Sequence, residues 1–155
     1  MKFIADSMLG KLAKWLRVLG HDVLYSAKLD DPELARIARL ENRILLTRDT
    51  QLVKRRGVKF VLISSEHPEQ QVRQLMEELG ITVDADSFSR CLICNTVLTN
   101  VEAQTVAREV PPYVLATQTR FCRCPTCSRV YWRGTHWQRM QDKLRKISSQ
   151  ERPNA

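Results

Sequence analysis

Two Cys-x-x-Cys pairs, Cys91-Leu-Ile-Cys94 and Cys124-Pro-Thr-Cys127, constrain this 155-residue chain more than any other feature. Four thiolates arranged in two such turns can converge on one tetrahedral ion, with the intervening residues folded back as a hairpin. A thioredoxin-type redox centre needs a Cys-x-x-Cys that opens a helix directly after a strand, and neither pair has that setting. The pairs therefore predict structural zinc held by Cys91, Cys94, Cys124 and Cys127 in a small C-terminal zinc ribbon. Four thiolates close the coordination sphere, so this ion supports the fold and does no chemistry. The fifth cysteine, Cys122, could replace Cys124 as a ligand. The matched spacing of the two pairs favours Cys124 and leaves Cys122 as a small half-buried residue.

The cysteine pattern, an odd count with four in metal-type pairs, suits a reducing compartment. The first residues, MKFIADSMLGKLAKW, meet an acid at Asp6 and then basic side chains, so they form no signal-peptide apolar core. No apolar run approaches the ~20 residues that span a bilayer. The expected location is the cytoplasm, with no membrane partner.

Upstream of the cysteines, short apolar runs alternate with helical patterns. Strands are predicted at Lys2 to Ala5, Val23 to Tyr25, Ile44 to Thr47 and Phe60 to Ile63, with a last edge strand at Ile81 to Val83. From Ser7, Leu9, Leu12, Ala13, Leu16 and Leu19 follow helical spacing up to Gly20. Asp31 before Pro32 reads as an N-cap for a helix burying Leu34, Ile37 and Ala38. A short basic helix is expected between Asp49 and Gly57. Ser64 or Ser65 is the expected cap of a helix carrying Val72, Leu75, Met76 and Leu79. This order implies an α/β fold, a parallel sheet with helices on both faces. The expected organisation is a sheet domain over residues 1–84, a linker over 85–90, the ribbon over 91–137, and a basic helix and tail over 138–155.

Ligands of an open parallel sheet bind beyond the carboxyl ends of its strands. Asp6 ends the first strand and Asp49 follows the third, and these two strands are well placed as neighbours across a switch point. Carboxylates projecting there repel unless a cation lies between them, and hard oxygen ligands without His or Cys suit Mg²⁺ or Mn²⁺. Asp31 comes from the same end of the sheet and suits helix capping as well as metal binding.

Charge is unevenly spread. Of the net +8, residues 120–155 contribute nine basic and two acidic side chains, a patch that attracts phosphate backbones or serves as a solvated tail. Arg123, Arg129, Arg133 and His136 stand there beside Tyr131, Trp132 and Trp137. The aromatics either stack on unpaired bases while the arginines hold phosphates, or Trp132 and Trp137 form a small core that docks the ribbon onto the sheet domain. Lys11, Lys14 and Arg17 share one predicted helix face, and Arg48 adjoins Asp49; all four are candidate phosphate contacts.

The stretch Phe-Ile-Ala-Asp-Ser-Met-Leu-Gly-Lys-Leu-Ala-Lys-Trp-Leu-Arg-Val-Leu-Gly, the later Leu-Leu-Thr-Arg-Asp, and the cysteine pairs with Tyr-Trp-Arg-Gly-Thr-His-Trp together resemble the Mut-seven C-terminal RNase family. The resemblance covers roughly residues 2–145. It implies a PIN-like nuclease domain fused to a zinc ribbon, acids that bind divalent metal, and ribonuclease activity on RNA. Asp6 matches the first acidic position and Asp49 the one after the third strand. Asp31 is the first choice for the acid between them. Where PIN nucleases often carry a fourth acid, this chain has Ser64 and Ser65, with Glu66 just beyond.

Overall fold

The computed structural model describes residues 1–84 and 86–149, so the last residues of the expected basic tail lie outside the described residues. The chain divides into two compact units, Met1–Phe88 and Ser89 onward.

In the first unit, strands β1 (Lys2–Ala5), β2 (Asp22–Tyr25), β3 (Ile44–Thr47) and β4 (Phe60–Leu62) form one parallel sheet in the order β2-β1-β3-β4. Helix α1 (Gly10–Val18) links β1 to β2, and α2 (Asp31–Leu40) links β2 to β3 across β1. Because right-handed crossovers run in opposite directions from β1, α1 and α2 cover opposite faces. Helix α3 (Pro68–Leu79) packs with α1. On the α2 face Ile4, Leu34, Ala38, Leu45 and Leu52 form a buried cluster.

Several local expectations are corrected. The N-cap of α2 is Asp30, whose Oδ1 accepts from Glu33 N while Glu33 Oε2 accepts from Asp30 N, a reciprocal capping box; Asp31 is the first helical residue. The residue preceding α3 is His67, with no side-chain cap; Ser65 Oγ instead accepts from His67 N. Only three residues, Leu52–Lys54, form a helical turn after Asp49, because Leu52 plunges into the α2-face core. Residues 81–83 form no strand. At the carboxyl end of β4, groups that a fifth strand would bond are taken by α3: Gln74 Nε2 donates to Leu62 O, and Gln74 Oε1 accepts from Ser64 N.

Gly20 stops the first helix with φ 91°, and a Cβ there would sit 2.2 Å from the Asp86 carbonyl oxygen. Phe88 N also donates to Val18 O, so residues 86–88 are packed onto the first unit.

At the amino ends of the strands, buried Arg43 donates to Asp22 Oδ1 at 2.7 Å, Glu41 Oε2 at 2.6 Å and Phe3 O at 3.2 Å. Burial opposes its charge, but the bonds to Asp22 and Glu41 outweigh that cost and raise its pKa. Replacing Arg43 by Ala removes the guanidinium's bonds to Asp22, Glu41 and Phe3 O. It is expected to lower unfolding free energy by about 2–3 kcal/mol, read from the urea midpoint at constant m-value; Glu41, nearly half exposed, contributes little of this.

The second unit has an antiparallel sheet of β5 (Thr99–Val101), β6 (Phe121–Arg123) and β7 (Val130–Trp132) in that order. Two short helices, α4 (Ala103–Val106) and α5 (Pro112–Thr117), fill the β5–β6 connection where a simple hairpin is expected. Val106, Val110, Val114 and Phe121 form the core, with Trp132 packed against it. A Cβ on Gly134 would approach Trp132 Nε1 to 2.8 Å, so the Tyr-Trp-Arg-Gly segment needs glycine for that close contact. Helix α6 (Thr135–Ser149) closes the described chain and buries Leu144 and Ile147. Among the described residues no helix is long and apolar enough to cross a membrane.

Candidate functional site

The four cysteines of the second unit converge. Each pair forms a turn with the same bonding. Cys91 N donates to Thr96 O and Asn95 N to Cys91 O; Cys124 N donates to Arg129 O and Ser128 N to Cys124 O. The residue after each pair, Asn95 at φ 67° and Ser128 at φ 66°, takes the left-handed conformation that lets the turn close. Both turns sit at hairpin tips, one between β6 and β7, the other closed by the Arg90–Val97 bridge.

The four Sγ atoms lie within 4.8 Å of one another, with Cys91 and Cys127 3.7 Å apart. Tetrahedral Zn–S bonds of about 2.3 Å put sulfurs about 3.8 Å from each other, so the donor set fits zinc. Burial resists charge on Cys124, yet backbone N–H groups of Cys127 and Thr126 bring its pKa down to about 6. Cys94, facing the same cluster, is pushed up to about 12, first by its hydrogen bond with Cys127. A cation relieves that conflict between neighbouring thiolates. Tyr131 hydroxyl lies 3.1 Å from Cys91 Sγ and 3.2 Å from Leu92 N. Burial pushes its pKa up, which keeps the proton available to the Cys91 sulfur. Sequence reasoning missed this orienting role of Tyr131, and no local pattern announces it. Cys122 lies outside the cluster, its Sγ bonded to Asn100 Oδ1.

In the first unit the reversal of strand order lies between β1 and β3, and Asp6 sits there, 6% exposed. Its Oδ1 accepts from Met8 N at 2.9 Å, starting a helical turn over Ser7–Leu9; its Oδ2 accepts from Thr47 Oγ1 at 2.5 Å. Thr47 Oγ1 in turn accepts from Asp49 N at 2.9 Å, and Asp49 Oδ1 accepts from Gln51 N. One buried hydroxyl therefore ties the Asp6 carboxylate to the backbone of Asp49. Thr47 stood unread inside Leu-Leu-Thr-Arg-Asp, although strand alternation puts it on the face of Leu45 and Ile4. Asp31 is exposed at the start of α2. Among the described residues, the cysteines make the one group of three or more metal-type ligands whose atoms gather this closely; Asp6, Asp31 and Asp49 do not. Mg²⁺ asks for less, since it retains waters and uses one or two carboxylates with substrate phosphates. The position after β4 holds Ser64 and Ser65, both bonded to glutamine amides of α3.

The expected basic contacts separate by environment. Lys11 and Lys14 are exposed on α1. Arg17 is 8% exposed and donates from Nε and Nη2 to Val23 O, satisfying a carbonyl of the β2 strand rather than facing a ligand. Arg48 is half-buried, and its Nε has no hydrogen-bond partner among the described residues. Arg123 pairs through both Nη atoms with Glu109 and donates to Ser128 O, so it braces the second cysteine turn. Arg129, Arg133 and His136 are exposed, with Arg133 stacked 5.1 Å from the Trp137 ring.

A segment of 101 residues, 61% of this chain, is 34% identical to the human protein named exonuclease mut-7 homolog and spans 12% of that protein's length. No solved structure matches. The Mut7-C RNAse domain matches residues 1–144, from the first strand through the cysteine turns and into α6. The chain belongs to the Mut7-C RNase domain family.

Proposed function

We propose that the chain is a metal-dependent ribonuclease whose reaction centre lies at the β1–β3 switch point, with Asp6 and Asp49 as principal Mg²⁺ or Mn²⁺ ligands and Asp31 as an outer one. The observation that carries this is the Asp6 carboxylate, held on both oxygens at a strand end with its Thr47 partner bonded onward to Asp49. A divalent ion bound there polarises a phosphodiester and lowers the pKa of an attacking water. The protein's part is to hold the carboxylates in place before substrate arrives. Thr47 and the Met8 amide together fix the Asp6 rotamer by bonding one carboxylate oxygen each. Lys11, Lys14 and Arg48 supply cationic contacts near the strand, while the zinc ribbon with Arg129, Arg133 and His136 adds RNA affinity.

Incubating the purified full chain with Mn²⁺ and end-labelled single-stranded RNA, structured RNA and single-stranded DNA tests this reading. Metal-dependent loss of the RNA substrates, blocked by EDTA, is expected. Intact RNA in every lane removes the enzyme reading. The second reading is a non-catalytic RNA-binding protein, favoured by the serines in place of an acid after β4. It predicts salt-sensitive RNA binding with no cleavage at any metal concentration.

A further inference from the structure

The crossover from β3 to β4 is the most one-sided charged segment of the first unit. Between Asp49 and Glu66 the chain carries Lys54, Arg55, Arg56 and Lys59 and no acid. The fold sets α2 beside it: Arg39 Nη1 donates to Arg56 O at 3.2 Å, and a Cβ on Gly57 would touch Arg39 Cδ at 3.4 Å. Leu52 and Val58, either side of the basic run, anchor it to the α2 core cluster. Arg36 lies one turn before Arg39 on the exposed side of α2. Arg36, Arg39, Lys54, Arg55 and Arg56 are all exposed, and among the described residues none is in a salt bridge. Arg39 packed on the Arg56–Gly57 segment brings the basic crossover and α2 together, and such a run of like charge attracts a polyanion.

Phe60 adds a second, apolar element. It pairs in register with Leu45, whose side chain belongs to the α2-face cluster, so Phe60 points to the same side of the sheet. It is 45% exposed at the start of the edge strand β4. Cations beside an open aromatic ring suit an unpaired strand, in which phosphates meet guanidinium groups and a base stacks on the ring.

We infer that the α2 face and the β3–β4 crossover form a single-stranded RNA track, with Arg39, Lys54, Arg55 and Arg56 on phosphates and Phe60 under a base. The crossover leaves the carboxyl end of β3 near Asp49 and reaches the amino end of β4 at Phe60, so the track lies along the α2 face of the sheet. This deepens the nuclease reading and rests on it only for the identity of the polyanion.

The test is fluorescence anisotropy of a labelled 12-nucleotide oligouridylate with the full chain, in EDTA, across a salt series. Replacing Arg39, Arg55 and Arg56 together by Gln is expected to weaken binding by about 10- to 100-fold at low salt and to flatten the log K against log[salt] slope by about 2. The Arg→Lys triple variant keeps the slope, which separates lost charge from lost fold. Phe60→Ala weakens binding while leaving the slope unchanged, and a duplex of equal length competes poorly. An unchanged slope in the Gln variant overturns the inference, as does wild-type protein that binds no oligouridylate. Selective loss of binding to phosphatidylserine vesicles, with RNA affinity intact, also overturns it by reassigning the patch to an anionic surface. Cleavage is scored separately: a chain that binds through the track but never cuts sinks the nuclease reading and leaves the track standing.

Discussion

Stripping zinc from the second unit, or replacing Cys124 by Ser, is expected to unfold the ribbon outright. Its core is four buried residues with a few partners around it, too small to hold three short strands and two short helices alone. Zinc in sites of this kind contributes about 10–16 kcal/mol to folding at neutral pH, as much as a whole small domain's stability. Near-ultraviolet circular dichroism reads the result through Trp132 and Trp137, and a metal assay should return one zinc per chain. Cys122→Ser is the matched control. Its sulfur stands outside the cluster, so zinc content and spectrum should stay as in the parent. A native spectrum after complete chelation rules out the structural-zinc reading. Tyr131→Phe removes one donor to the Cys91 sulfur and should lower zinc affinity by about 10- to 100-fold, the usual range for outer-shell partners.

Asp6→Asn is the second large effect. An Asn side-chain oxygen still accepts from Met8 N, so the turn over Ser7–Leu9 and the fold should persist. On the proposed reading the missing charge weakens the principal cation ligand, and cleavage is expected to fall by about two to three orders of magnitude. Asp49→Asn should act alike. Asp31→Asn, on an exposed carboxylate outside the capping box, should cost much less. Thr47→Val leaves Asp6 unsupported on Oδ2 and is expected to slow cleavage by about 10- to 100-fold, with a smaller change in metal affinity than Asp6→Asn. Single-turnover assays over a Mn²⁺ series separate these outcomes. Wild-type rates for Asp6→Asn at every metal concentration would falsify the assignment of the reaction centre.

Periodicity made β1 to β4 legible because helix or turn signals bound each of them, whereas the fifth strand expected at Ile81 to Val83 does not form. Strand polarity then put Asp6 and Asp49 at one end of adjacent strands. The two cysteine pairs were legible because metal ligation imposes spacing on the chain itself. What stayed hidden depended on contacts between distant segments. Arg17 belongs by helical spacing with Lys11 and Lys14, but its long side chain reaches back to Val23 and is lost to solvent. Arg123 looked like a phosphate contact until Glu109, fourteen residues earlier, claimed both Nη atoms. The cap of α2 was misread by one residue, although the Asp30–Glu33 spacing carried the capping-box signal. The basic character of the Asp49–Gly57 segment is legible in the sequence, but its contact with Arg39 depends on the fold, since the two lie on separate elements.

The Gln74 amide bonded to Leu62 O and Ser64 N has a consequence for how this protein behaves in a crowd of its own copies. Open strand edges recruit foreign strands, and β4 carries the exposed Phe60 and Leu62 that would reward such recruitment. By imitating a neighbouring peptide unit, one side chain plugs the carboxyl half of that edge. Edge-to-edge pairing along that half of β4 then requires α3 to surrender Gln74 first.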